Sequence, residues 1–267
     1  IRTLAAFFIR DFRKTASYRL AFVLDIGSIF FKAATFYFVA QLIGSSAAGH
    51  LEEFGGEYFP FVLVGIAFAS YQTVGLNSFA QSLRQEQFMG TLESVLCAPV
   101  RLPMFLAGSA LWDFFYATME VLIYFMVAFF AFGLMFSQAA LLPALVAALL
   151  TLTAFMGLGV LSAAFILRFK RGNPVAWIIA SAGELFGGVY FPVSILPKNM
   201  RAVSEWIPMT HSLSALRKTL LNGADFAAVS HELIFLSVFT LAVWPLGVFA
   251  FQLALRHSKA DGSLSHY

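Results

Sequence analysis

Five ionisable side chains, Asp25, Lys32, Asp113, Glu120 and Glu184, sit inside long apolar runs of this 267-residue chain. A charge in hydrocarbon is costly, so such residues either pair between helices, reach the membrane boundary or line a water-filled path. Asp25 and Lys32 are seven positions apart, and Asp113 and Glu120 repeat that spacing. On a helix it places each pair on one face but about 10 Å apart along the axis, too far for contact within the pair. The chemistry open to them is charge compensation between helices or hydration of a pathway. Nothing catalytic accompanies them. HELIF, starting at His231, begins like a zinc-protease motif but has Phe235 where the second histidine would stand. The sequence holds no G-x-S-x-G turn and no G-x-x-x-x-G-K-S/T phosphate loop. No catalytic residue, no metal site and no ATP site of its own is therefore expected, and the chain is read as not an enzyme. The single cysteine, Cys97, excludes an internal disulfide and a cysteine zinc cluster.

The elements that must position these residues are set by hydropathy. Of all residues 60% are hydrophobic and 12% charged, against about 25% charged in soluble domains, and the mean hydropathy is +0.82. The net charge of +3 comes from bases dispersed at the ends of apolar runs, which is not the basic stripe of a nucleic-acid binder. Apolar runs at about 20–43, 58–79, 102–136, 140–167, from 175, and 231–255 read as six membrane-crossing helices. The third is longer than a crossing needs, so its first turns should extend below the membrane.

Orientation follows from Lys and Arg in the breaks. Twelve lie on the side that holds the N-terminus and four on the other, with Lys32 inside a span, so both termini are expected in the cytoplasm. Residues 1–19 interleave Arg2, Arg10, Arg13, Lys14 and Arg19 with Leu4, Phe7, Phe8 and Phe12. That pattern is an amphipathic helix in the headgroup layer rather than a cleavable leader. The fold class expected is an all-α membrane protein and a single permease domain over 1–267.

Two segments carry a resemblance. RQEQFMGTLESVLCAPVRLPMFLAG, starting at Arg84, resembles the stretch of ABC-2 type transporter permeases in which an E-x-x-x-G-T-L-E core precedes a proline-bearing turn. GGVYFPVSILPKNMRAVSEWIPMTHSLSALRKTLLNG, residues 187–223, is similar to that family's Gly/Pro-rich ending of span five. The first resemblance implies a coupling helix within 83–101 that docks into the ATPase subunit, with Arg84, Glu86, Gly90, Thr91, Leu92 and Glu93 as coupling residues. The second implies an external re-entrant segment between spans five and six, with Gly187, Gly188, Pro192, Pro197, Pro208 and Arg217 as its markers. Independently of the family, Gly187, Gly188, Pro192 and Pro197 break the helix, and broken backbone at membrane depth survives only where protein or water satisfies it. Arg217 and Lys218 run against the charge count, and are expected at the external headgroup level or facing an anionic substrate.

The resemblance further implies an ATP-driven exporter subunit in a prokaryotic inner membrane. Two copies of an ABC ATPase would carry ATP and Mg, and a second permease subunit would complete a homodimer. Cofactors bound by this chain are expected to be none. The substrate expected is amphipathic, lipid-linked, a glycan or a drug. The other reading is an ion-gradient-driven secondary transporter, motivated by the intramembrane acids.

Overall fold

The computed structural model describes residues 2–90, 102–136, 139–169 and 173–260, and these are helical with no strand among them. Ten α-helices are defined among the described residues: α1 Arg2–Ser17, α2 Arg19–Ile43, α3 Ala48–Leu51, α4 Tyr58–Phe88, α5 Leu102–Phe132, α6 Leu141–Phe169, α7 Pro174–Phe186, α8 Lys198–Ser204, α9 Pro208–Leu221 and α10 Ser230–Ala260. Five of them, α2, α4, α5, α6 and α10, are long and apolar enough to cross a membrane.

The run expected as a fifth crossing behaves differently. It yields α7, 13 residues long, which at about 1.5 Å per residue reaches some 20 Å and does not span a ~30 Å hydrocarbon core alone. Asn173 caps its start, accepting the Ala176 N–H at 3.1 Å on its side-chain Oδ1, with Pro174 at the first helical position. Its end is forced by Gly187 and Gly188, the latter at φ +78°, a conformation closed to most side chains. The chain then turns through a short 3-10 piece, Val193–Ile195, into α8 and α9. Pro197 and Pro208 stand at the starts of α8 and α9, where a missing N–H costs nothing.

α4 is the central post. It packs against α6 and α5, and touches α2, α7 and α9 as well. Of its apolar window 78% is buried, against 11% for α2 and for α10, which lie on the outside of the isolated chain. The α4–α6 contact is backbone to backbone: a Cβ on Gly159 would meet the Gly75 carbonyl oxygen at 1.9 Å, and one on Gly75 would meet Phe155 at 2.5 Å. Small residues at a crossing let membrane helices approach this closely and gain dispersion contacts. α6 repeats the device toward α10, where a Cβ on Gly247 would lie 2.9 Å from the Gly157 carbonyl oxygen.

α1 is a separate helix joined to α2 at Tyr18, whose φ and ψ of −103° and 62° break the helical path. It lies along α5. Phe8 and Phe12 set their rings edge-on to Trp112 at 5.3 and 5.6 Å between centroids, which fixes the angle of the α1–α2 elbow.

Candidate functional site

Three of the four intramembrane acids, Asp25, Asp113 and Glu120, converge on a cleft between α1, α2, α4 and α5. Asp25 on α2 accepts the Tyr116 hydroxyl of α5 on Oδ2 at 2.6 Å. Asp113, one turn before Tyr116, accepts the Ser78 hydroxyl of α4. Glu120, one turn beyond Tyr116, lies within electrostatic reach of both Lys32 and Asp25. The acids therefore pair across helices, through neutral hydroxyls and one lysine.

The cleft has three connected parts. One, about 490 Å³, opens between α1, α2 and α5 and is walled by Phe22, Ile29, Trp112 and Phe115 with Asp25 and Glu120. A second, about 540 Å³, lies toward the end of α4 and is lined by Arg10, Asp11, Gln85, Glu86 and Asp113. A third, about 310 Å³, runs along Thr73, Asn77, Ser78 and Gln81 of α4. Asp25, Tyr116 and Trp112 border all three. The Tyr116–Asp25 hydrogen bond thus sits where the aromatic part of the cleft meets the polar parts.

α2 presents Asp25, Ser28, Lys32 and Thr35 as an exposed stripe at helical spacing, unusual on an otherwise apolar helix. Glu184 stands apart, exposed on α7 and within electrostatic reach of Tyr190. Sequence reasoning singled out the acids but missed Tyr116 and Ser78. Tyr116 was findable, since 113, 116 and 120 share a helix face; Ser78 carried no signal.

A second cluster ties the opposite end of α4 to α9. Arg217 is 2% exposed. Its Nε donates to the Phe61 carbonyl at 3.0 Å and its Nη2 to the Val189 carbonyl at 3.1 Å. Its guanidinium lies 3.4 Å from the Phe61 ring centroid. Its side chain is thus turned into the protein, onto two backbone carbonyls. The broken backbone after α7 leaves carbonyls without helical partners, and a fixed five-donor fork is the side chain that satisfies them. Tyr58 helps, donating its hydroxyl to the Tyr190 carbonyl at 3.0 Å. Gly65 makes room, because a Cβ there would meet the Val189 oxygen at 2.2 Å.

Lys218 points elsewhere and bridges Glu53 at 2.8 Å and Glu232 at 2.9 Å. Burial alone would depress its ammonium, but the two carboxylates outweigh that and hold its pKa above the usual lysine value. His211, two turns earlier on α9, is buried and stacked on Phe235 at 3.7 Å, with Nε2 donating to the Glu205 carbonyl at 2.9 Å.

Of the residues expected to couple, Arg84 and Glu86 lie on the last turns of α4, with the Arg84 guanidinium 5.7 Å from the Phe88 ring centroid. Gly90 follows at φ +68°. The stretch from Leu83 to Phe88 continues α4 rather than starting a separate helix. Thr91, Leu92 and Glu93, together with Cys97, fall outside the described residues. Among the described residues no cluster of three or more His, Cys, Asp or Glu is placed to hold a metal ion.

Comparison with known proteins agrees with this architecture. Residues 2–221 match the profile of the family described as ABC-2 type transporter. The chain is 26% identical over 222 residues to the inner membrane transport permease YadH of Escherichia coli strain K12, covering 79% of this chain and 83% of that protein. The YadH of Shigella flexneri is similar to the same extent. Helices of crossing length, a helix broken at a Gly-Gly pair, and a match over most of the chain converge: this protein belongs to the ABC-2 type transporter family, as the membrane subunit of an ABC transporter.

Proposed function

We propose that this chain forms the translocation pathway of an ATP-driven exporter and couples to two copies of a separate ABC ATPase that carry ATP and Mg. The single observation that carries the reading is the family match over residues 2–221, supported by the lack of a phosphate loop in the sequence. α7 makes the remaining crossing up to the Gly187–Gly188 break, and residues 187–223 form the external re-entrant segment that precedes α10, with α9 beside α4 and α6. Both termini are then cytoplasmic, α1 lies at the inner headgroup layer, and the protein resides in a prokaryotic inner membrane as its YadH relatives are named to do. A second permease subunit, most simply an identical copy, completes the pathway against the exposed polar stripe of α2. The end of α4 at Arg84 and Glu86, with the 91–101 stretch, receives the ATPase.

Cross-helix carboxylates are also what an ion-gradient-driven transporter requires, and one experiment separates the two readings. The chain is purified from its native membrane in mild detergent and its companions are identified by mass spectrometry. A stoichiometric ATPase bearing a phosphate loop is the expected result. Purification alone, with uptake into liposomes driven by a proton or sodium gradient, overturns it.

A further inference from the structure

The aromatic chamber of the cleft has a composition that selects a ligand class, an inference resting on the exporter reading only for its orientation in the membrane. We propose that the α1–α2–α5 chamber binds an amphipathic monocation, its charged nitrogen or phosphorus centre on Asp25 and its apolar body against Phe22, Trp112 and Phe115.

The volume, about 490 Å³, is that of a drug-sized ligand. Its walls are aromatic, and aromatic faces attract a desolvated cation through their quadrupole. Asp25 supplies the formal charge. Its side-chain partner is the neutral Tyr116 hydroxyl, donating to Oδ2 at 2.6 Å, so one carboxylate oxygen keeps its full acceptor capacity. Glu120 adds a second carboxylate, with Lys32 within electrostatic reach two turns along α2 from Asp25. Arg19 lies at the rim. Along α2 the charges run Arg19, Asp25, Lys32; Arg19 and Asp25 line the chamber and Lys32 does not, so with Glu120 the lining holds two acids and one base.

A lining with two acids and one base disfavours an anionic phosphate inside the chamber. It suits a lipophilic cation, whose charge sinks with its apolar body. Tyr116 then has a positioning role: its hydroxyl holds Asp25 toward α5, where the carboxylate borders the chamber.

The test uses the full chain with its co-purified ATPase in lipid nanodiscs, and equilibrium dialysis with radiolabelled tetraphenylphosphonium. Tetraphenylborate, of the same shape and opposite charge, is the control. Saturable binding of the cation above that of empty nanodiscs, with weak binding of the anion, is expected. D25N should weaken it at least about tenfold, and E120Q less. F22A, which leaves every charge in place, should weaken the cation through loss of wall area, while D25N should bind tetraphenylborate no less than wild type, which guards against D25N acting through misfolding. Equal binding of the two ions, or cation binding unchanged by D25N in a correctly folded variant, overturns the proposal. Repeating the dialysis after the ATPase is stripped separates the two claims. Charge-selective binding that persists without any ATPase upholds the chamber even where the exporter reading fails; ATP-driven export with no charge preference removes the chamber alone.

Discussion

Arg217 stacks over the ring of Phe61 at 3.4 Å and donates to the carbonyl of that same residue at 3.0 Å. One side chain thus grips both the face and the backbone of a single partner on α4, while its other arm holds Val189. Replacing Arg217 by Met should strand the buried Val189 carbonyl, at a cost of about 1–3 kcal/mol, and remove the second bond to the Phe61 carbonyl. Lys cannot reach both acceptors from one ammonium, so Arg217→Lys should recover less than half of the loss. Thermal unfolding in detergent, followed by size-exclusion chromatography, reads both.

Gly90 has a left-handed φ of +68° and open space where a Cβ would stand. The constraint is conformational rather than steric, so Asn, which tolerates that region, should be accepted and Leu should not. We expect Gly90→Leu and Glu86→Ala to reduce transport severalfold while the melting temperature stays near that of wild type, with basal ATP hydrolysis retained. Substrate-stimulated hydrolysis equal to wild type in both variants would remove the coupling role of this end of α4.

Burial pushes the His211 imidazole below its ordinary pKa of 6.5; the Glu205 carbonyl bond and the Glu232 and Glu205 carboxylates oppose that, and His231 adds to it. The folded state therefore prefers the neutral ring, and its stabilising effect is complete above the unfolded value. It is lost as pH falls from about 6.5 through the lower folded value. Melting curves from pH 8 to pH 5 should show a decline in this window that His211→Gln flattens. Identical pH profiles for the two proteins would argue that other groups set the acid limit.

Single cysteines at Ser194 and Gln85, both exposed positions, should label from opposite sides of the membrane after removal of Cys97. An impermeant thiol reagent added to intact cells is expected to reach Ser194 and spare Gln85. The reverse pattern would invert the topology.

The apolar runs made the five long helices legible, because lipid demands continuous apolar length and nothing else produces it. The Gly187–Gly188 break was legible for the same reason as any helix break. The length of α7 was not: its apolar run continues past the break, so hydropathy sees a crossing where the backbone stops after 13 residues. The seven-residue spacing of Asp25 with Lys32 correctly separated them along α2, but their partners on α5 lie some ninety positions away in sequence, and periodicity carries no information at that distance. Arg217 shows the limit best. A charge count places a cation in a loop; only packing reveals that its task is to satisfy backbone.

α4 runs unbroken from Tyr58 to Phe88, so the seat of Arg217 and the residues Arg84 and Glu86 belong to one rod of about 45 Å. Locked to α6 through Gly75 and Gly159, the rod resists bending near its middle. Under the proposed coupling it would act as a lever whose fulcrum is the glycine contact: a tilt of about five degrees would sweep the far end through roughly 2 Å. The Phe61 carbonyl rides on the far arm, and a displacement of that size is comparable to what separates a made hydrogen bond from a lost one. Under the proposed coupling, force delivered where the helix leaves the bundle would be geared to the joint between Phe61 and Arg217.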